Sequence, residues 1–494
     1  MSNFVIAIGG SGAKLMQAMV HLGAAGLLPP DRRELSGQLV DPDENNGNVE
    51  ECVELFRRYQ RCRTLVGMHV GTSDLFSAAI ELQGPYTPLA DGQADTLKHI
   101  FRYNQLVRQG SVDAELLELF FEAPELEMSI RQGFRGRPAV GATVLAEAVR
   151  FDQPPWSHLK EKIRGRGAQG AVRVMLAGSV FGGSGAAGVP TLVRMLHGEL
   201  SGQVPDLQLG LVLFLPYFQF RPVAGETIQA DPAAFPIATA EALKYYHEGG
   251  FLALCQAIYC VGEEVPSDVA VPAVGAAEQR NEPHFVELVA GLGAVRFFDD
   301  RLPSNPSVLA VAGRARDASL GWDDLPYDYV GGKPLVRQLQ TMASFAVAYR
   351  YLFFPTIVDA LDRGSSDAAF WVDHIERQRK VNRQAVGEAL RELYEYLERF
   401  LIWLLRVSTP RRESFVPGLV NPNAFAVREA GEWRLKRPDE FNDGDFANLL
   451  LNQNARRRLD TRAVFERAAR AVADPQATGA GRLVRALYDA CRVD

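Results

Sequence analysis

Two glycine-rich runs, each set between a short β-rich stretch and an amphipathic one, constrain this chain more than any other feature. The first, Gly9-Gly10-Ser11-Gly12, follows the apolar run 4–8 and opens a stretch that carries Met16, Met19, Val20 and Leu22. The second, Gly182-Gly183-Ser184-Gly185-Ala186, follows the β-rich run 172–177 and leads into a helix predicted over 189–200. Glycines at a strand-to-helix junction let the backbone approach an anion closely, and the free N–H groups and dipole of the helix start attract its charge. Taken alone, the first run is a weak signal, with a structural tight turn as the alternative. Leu15 stands where the dinucleotide fingerprint needs glycine, and no Lys-Ser/Thr pair follows at P-loop spacing. Two such loops on strand ends of one sheet can grip a polyphosphate from both sides.

Candidate strands at 4–8, 37–40, 64–70, 172–177, 207–215 and 257–261 alternate with helical stretches, the pattern of a parallel sheet covered by helices. The expected fold class is therefore α/β, with ligand chemistry at the strand ends. From about residue 333 long amphipathic runs take over. Val386, Leu390, Leu393, Leu397, Phe400 and Leu404 form one apolar stripe, which predicts a long helix packing on the first domain or receiving a partner. The formal charge of −7 and the absence of a basic stripe argue against nucleic acid. Five scattered cysteines with no C-x-x-C pair fit reduced thiols in a cytoplasmic protein. The opening MSNFVIAIGG lacks a basic n-region and reads as a first strand rather than a signal peptide. The apolar stretch 341–361 contains Arg350, Pro355 and Asp359, so a buried helix is expected there and no membrane span.

Gly182 to Ala187 resembles the G-G-T-G-S/T-G signature of the tubulin/FtsZ superfamily, with Ala187 in place of the last glycine and Gly188 one position on. Other segments follow in that family's order. GFRGRPAVG (133–141) resembles the FtsZ loop that contacts the terminal phosphate, with Arg137 where that family has asparagine. A guanidinium there would neutralise phosphate oxygens or pair with a nearby carboxylate. PYFQF (216–220) resembles the stretch whose glutamate binds ribose, but Arg221 holds the acidic position, leaving Glu226 as a substitute. QRNEPHFVEL (279–288) resembles the start of the family's central helix, expected over about 283–298, with Asn281 as the guanine-edge amide or, alternatively, an N-cap. DPDENNGN (41–48) lies where FtsZ has an acidic loop, so Asp41 and Asp43 are candidate Mg²⁺ ligands, a solvated turn being the alternative.

The resemblance spans about residues 1–300, with a helical insertion at about 49–131, and is nearest to divergent prokaryotic tubulin-like proteins; residues 301–494 are expected to be largely α-helical. It implies a parallel-sheet GTP-binding domain, GTP/GDP with Mg²⁺ as ligands, and self-association into head-to-tail oligomers or filaments. A GTPase of this kind needs an acid that enters the next subunit's site. Asp299 and Asp300 are the nearest candidates and Asp323-Asp324 a second pair, none in a recognisable motif. Two other functions remain open from sequence. One is a nucleotide-sensing scaffold that recruits a partner through its C-terminal helices. The other is a Rossmann oxidoreductase using Gly10-x-Gly12, with Asp41 as its ribose acid.

Overall fold

The computed structural model describes residues 2–28, 34–43, 45–67, 74–89, 95–131, 133–219, 231–264, 266–268, 277, 279–299, 308–312, 320–325, 329–330, 333–357, 383–408, 419–451, 459–472 and 480–493. Seven strands form one parallel sheet: β1 (Ser2–Ile8), β2 (Glu34–Val40), β3 (Ala79–Tyr86), β4 (Val172–Ser179), β5 (Leu207–Phe214), β6 (Ala257–Val261) and β7 (Val308–Ala312). Their spatial order is β3-β2-β1-β4-β5-β6-β7. The chain therefore runs outward in one direction from β1 and in the other from β4, and the switch point lies between these two neighbours. Because crossovers between parallel strands are right-handed, opposite directions of travel put the helices that follow β1 and β4 on opposite faces.

Alternate side chains of the strands divide the core accordingly. Val5, Ala7, Met175, Ala177, Val212 and Phe214 face α1 (Gly9–Ala24), α2 (Gly47–Val66) and the later helix α7 (Phe285–Asp299). Phe4, Ile6, Ile8, Val174, Leu176 and Leu211 face α3 (Pro138–Ala148), α4 (Trp156–Gly167) and α5 (Gly183–Leu200). Helix α6 (Phe235–Glu248) joins the second face through buried Tyr246. Period-two burial on both faces explains why β4 is apolar along almost its whole length.

The C-terminal region packs on the first face. Helices α8 (Leu335–Ala348), α9 (Arg383–Ser408), α10 (Thr461–Val472) and α11 (Ala480–Ala490) share one apolar cluster with α1, α2 and α7. Leu390, Leu393, Leu397, Phe400 and Leu404 of α9 are fully buried, so the predicted stripe packs against the α/β layer and against α8. His21 of α1 seals this contact: it is 2% exposed, its Nδ1 lies 3.2 Å from the Tyr396 hydroxyl, and its ring lies 4.8 Å from that of Trp403.

Several expectations change. The run 64–70 is not a strand: α2 continues to Val66, and residues 68–70 lie outside those described. Its buried Val49, Cys52, Leu55, Phe56, Tyr59, Cys62 and Val66 follow helical spacing, which the local β-branched content obscures. The segment 49–131, expected to be helical, holds α2 and four short helices between Leu97 and Glu127 but also edge strand β3, which pairs with β2. The central helix spans Phe285–Asp299. The C-terminal region also contains a hairpin, β8 (Ala426–Glu429) and β9 (Glu432–Leu435), turned by Ala430 and Gly431 at φ +50° and +89°. No helix among the described residues is long and apolar enough to cross a membrane.

Candidate functional site

Both helices at the switch point begin without a capping side chain. The N-cap of α1 is Ile8 and that of α5 is Gly182; neither bonds a first-turn N–H, and neither helix has an acid in its first turn. By contrast, α2 next to them is capped by Asn46, whose side chain accepts from Asn48 N at 2.9 Å. The first turns of α1 and α5 thus keep free donors and uncompensated positive dipole ends.

The two starts touch. A Cβ on Gly9 would lie 3.3 Å from Ser184 Cβ, and Gly9 has φ +73°, the left-handed region that glycine occupies at no steric cost. Gly185 is fixed more severely, since a Cβ there would come within 2.4 Å of Ser179 O and 2.5 Å of Ser179 N. The only residues of α1 not buried are Gly10 and Ser11, and at the second loop Gly182 and Ser184 are likewise half-exposed while Gly183 and Gly185 are closed in. The Ala186 carbonyl accepts from the Tyr246 hydroxyl at 2.9 Å, anchoring the start of α5 to α6.

Two further loops close on this point. Gly183 packs against the 133–137 loop, where its Cβ would meet Phe134 Cβ at 2.9 Å and Gly136 N at 3.0 Å. Gly133, Arg135 and Gly136 all have positive φ, so this loop turns its backbone sharply beside the start of α5. Arg137 opens α3; its side chain is 43% exposed and pairs with Glu125 at 3.4 Å, the carboxylate-pairing alternative foreseen for it. On the other side, the pairing of Ile8 with Val40 brings Asp41 alongside Gly9. Asp41 and Asp43 are 4% and 3% exposed. Asp41 Oδ1 accepts from Asp43 N at 3.1 Å, whereas its buried Oδ2 has no partner. Burial chiefly, and the neighbouring Asp43 charge, push the Asp41 carboxyl up to about 8, against the opposing hydrogen bond from Asp43 N.

Three residues that the sequence reading did not assign complete the site. Asn48, 2% exposed, accepts from Asn281 N at 2.8 Å, while its Nδ2 is buried without a partner and lies 3.1 Å from where a Gly10 Cβ would be. An orphaned buried donor is costly unless something accepts from it, and here it faces the half-exposed turn of α1. Lys14, 3% exposed, donates to Asn281 O at 2.6 Å and lies 3.9 Å from Glu287 Oε2. Glu287 in turn accepts from His284 N at 3.0 Å and Tyr217 Oη at 3.2 Å. Asn281 thus has both backbone groups pinned and a half-exposed side chain, four residues ahead of α7. The N-cap of α7 is His284 instead, whose Nδ1 accepts from Val286 N at 3.1 Å.

The sequence-predicted residues therefore separate into two sets. Gly9, Gly10, Ser11, Gly12, Gly182, Gly183, Ser184, Gly185, Ala186, Asp41, Asp43 and Asn281 lie at helix starts and on loops at the carboxyl end of the sheet, with Arg137 on their rim. Asp299 does not join them: it ends α7, roughly 20 Å along the axis from the helix start at 1.5 Å per residue. Arg173 at the amino end of β4 donates to Phe297 O at 2.5 Å, so this end of α7 belongs to the opposite end of the sheet. Asp324 caps its own short turn by accepting from Gly321 N at 2.8 Å. Asp300, Arg221 and Glu226 lie outside the described residues. Among the described residues no group of three or more His, Cys, Asp or Glu is arranged to hold a metal ion.

No family model matches the chain, and no curated protein matches it. Among solved structures it is similar to CetZ2 from Haloferax volcanii in a GTPγS-bound protofilament, with 15% identity over 60% of this chain and a TM-score of 0.27. It is also similar to a mutant FtsZ from M. jannaschii, with 12% identity over 53% of this chain and a TM-score of 0.23. The matches span 59% and 46% of those two chains.

Proposed function

We propose that this chain is a tubulin-like protein that binds a guanosine polyphosphate across the starts of α1 and α5. The observation that carries the reading is the pair of adjacent, uncapped helix N-termini at the switch point. One such terminus suits a single phosphate; two, with the Asn48 amide over the first, suit a chain of them. Asn281 is placed to read a purine edge from the α7 side of the same loops, and Lys14 holds it there through its carbonyl. Asp41, with a free Oδ2, and Asp43 would hold a Mg²⁺ that arrives with the phosphates, which matches the habit of that ion of taking one or two carboxylates plus substrate oxygens. When bound, that ion neutralises charge on the phosphoryl oxygens.

Hydrolysis needs a group that orients water. Asp299 is absent from its own chain's loops but lies at the end of the sheet that a head-to-tail neighbour would present to them, which supports a site completed between subunits. Extraction and identification of the nucleotide from purified protein, followed by turnover of GTP and ATP across a range of protein concentration, tests both parts. Bound guanine nucleotide and turnover that rises faster than protein concentration are expected. Turnover linear in protein concentration would remove the shared site. Binding without turnover would leave a nucleotide-sensing scaffold.

A second reading has one observation in its favour. The strand order and an acid ending β2 are also those of dinucleotide-binding sheets, where such an acid binds ribose. Leu15, fully buried where that fingerprint needs a third glycine, opposes it. A saturable thermal shift with NAD and none with GTPγS would establish it over the first.

A further inference from the structure

A cavity of about 860 Å³ lies between α2, α9 and the end of α8, away from the strand-end loops and unused by the reading above. Its volume falls in the range of small-molecule sites, about 300–1,000 Å³. It is bordered by Arg58, Arg350, Arg391, Arg399, Phe354 and Tyr394. The backbone is irregular here. At Tyr349–Phe353 helix α8 gives way to a π-helical turn, a local form often found at functional sites. The turn directs Arg350 and Phe354 to the same neighbour on α9. Arg350 Nη1 donates to the Tyr394 hydroxyl at 2.6 Å, and the Phe354 and Tyr394 rings stack at 4.4 Å and 28°.

The charges around the cavity balance, but its hydrogen-bond donors are in excess. Arg350 pairs with Glu398 at 2.8 Å, Arg399 pairs with Glu51, and Arg58 pairs with Glu54 at 2.9 Å, with Glu392 at 3.1 Å and with Glu395. Each lining carboxylate is therefore already occupied. Arg391 has no ion-pair partner among the described residues, and Arg350, only 7% exposed, keeps a buried Nε without an acceptor among them. A cavity whose acceptors are matched and whose donors are in surplus takes an anion, and a stacked aromatic wall beside those donors takes a flat ring.

We infer that this cavity is a second ligand site, for a small anionic molecule that carries a planar ring, such as an aryl or nucleoside phosphate. It shares α2 with the strand-end loops: Asn48 faces Gly10, and Glu51, one turn later, lines the cavity.

The test is calorimetric titration of the full chain with phenyl phosphate, with and without saturating GTPγS. Saturable one-to-one binding is expected in both conditions, with inorganic phosphate and phenol each binding about tenfold or more weakly. Arg391 is exposed and makes no contact that folding depends on, so Arg391→Glu is expected to fold normally and to weaken phenyl phosphate by about tenfold or more. Tyr394→Leu is expected to weaken it as well, while leaving inorganic phosphate unchanged. No saturable binding at millimolar phenyl phosphate, binding indifferent to Arg391→Glu, or displacement by GTPγS would each overturn the assignment. Loss of GTPγS binding alone would bear on the strand-end loops and not on this cavity.

Discussion

Asn48 links the fold of the site to its binding chemistry. Its Oδ1 holds the Asn281 backbone and its Nδ2 is the orphaned donor over Gly10. Asn48→Asp keeps the acceptor and turns the donor into a second acceptor, but it also buries a carboxylate, so the thermal midpoint should fall as well. The same change should cut guanine-nucleotide affinity by about tenfold or more, since a hydrogen bond to a charged group contributes about 1.5–3 kcal/mol; equilibrium binding with GTPγS reads it. Gly185→Ala acts through packing instead. Its methyl would collide with the Ser179 backbone, which cannot yield as a side-chain tip does, so both stability and binding should fall, the former by about 1–3 kcal/mol in a denaturant titration. At this scale the sequence was informative about glycines and poor about polar partners. The glycines announce themselves by clustering after β-rich runs. Lys14, Asn48 and Glu287 acquire their roles only when residues more than two hundred positions apart meet, as Lys14 and Asn281 do.

Among the elements, most strands with apolar runs were legible, but β7, the apolar run Val308–Ala312, went unread inside a region expected to be largely α-helical, as did edge strand β3. The predicted 257–261 is the observed β6, whereas β3 contains Gly84 and Pro85, which break the pattern of a strand lying at the sheet edge. The β8–β9 hairpin went unread because its turn is Ala-Gly, a weaker signal than Asn-Gly for two residues with positive φ. The α9 stripe was plain, and its partner was not, because periodicity gives a face without saying what covers it. Leu397, fully buried on that face, should cost about 2–5 kcal/mol when changed to alanine, measured by chemical denaturation. His21 tests the same contact by pH. Burial above all, then the Arg399 and Lys14 charges, lower its pKa from 6.5 to about 3. A depressed histidine means that the unfolded chain binds more protons between those values, so the contribution is complete above pH 6.5 and is lost as pH falls toward 3. The midpoint of His21→Gln should accordingly depend less on pH across that window than wild type.

Over the whole molecule, the α/β layer and the C-terminal helices share one apolar cluster, so they are expected to unfold together. Calorimetry should show one transition, and a chain cut at residue 333 should fail to give a folded α/β layer, because α1, α2 and α7 would expose the face that α8, α9 and α11 cover. Two resolved transitions would contradict this.

The burial of α1 has a mechanical consequence. Apart from Gly10 and Ser11 every residue of that helix is enclosed, pressed between the sheet, α2, α7 and α9, whereas α5 leans on α3, whose outer side is open to solvent. The two anion-facing helix starts are thus unequal jaws, one clamped and one sprung. Any widening or narrowing of the gap between them has to come from the α5 side, and its amides should exchange with solvent through local opening while those of α1 wait for the whole molecule to unfold.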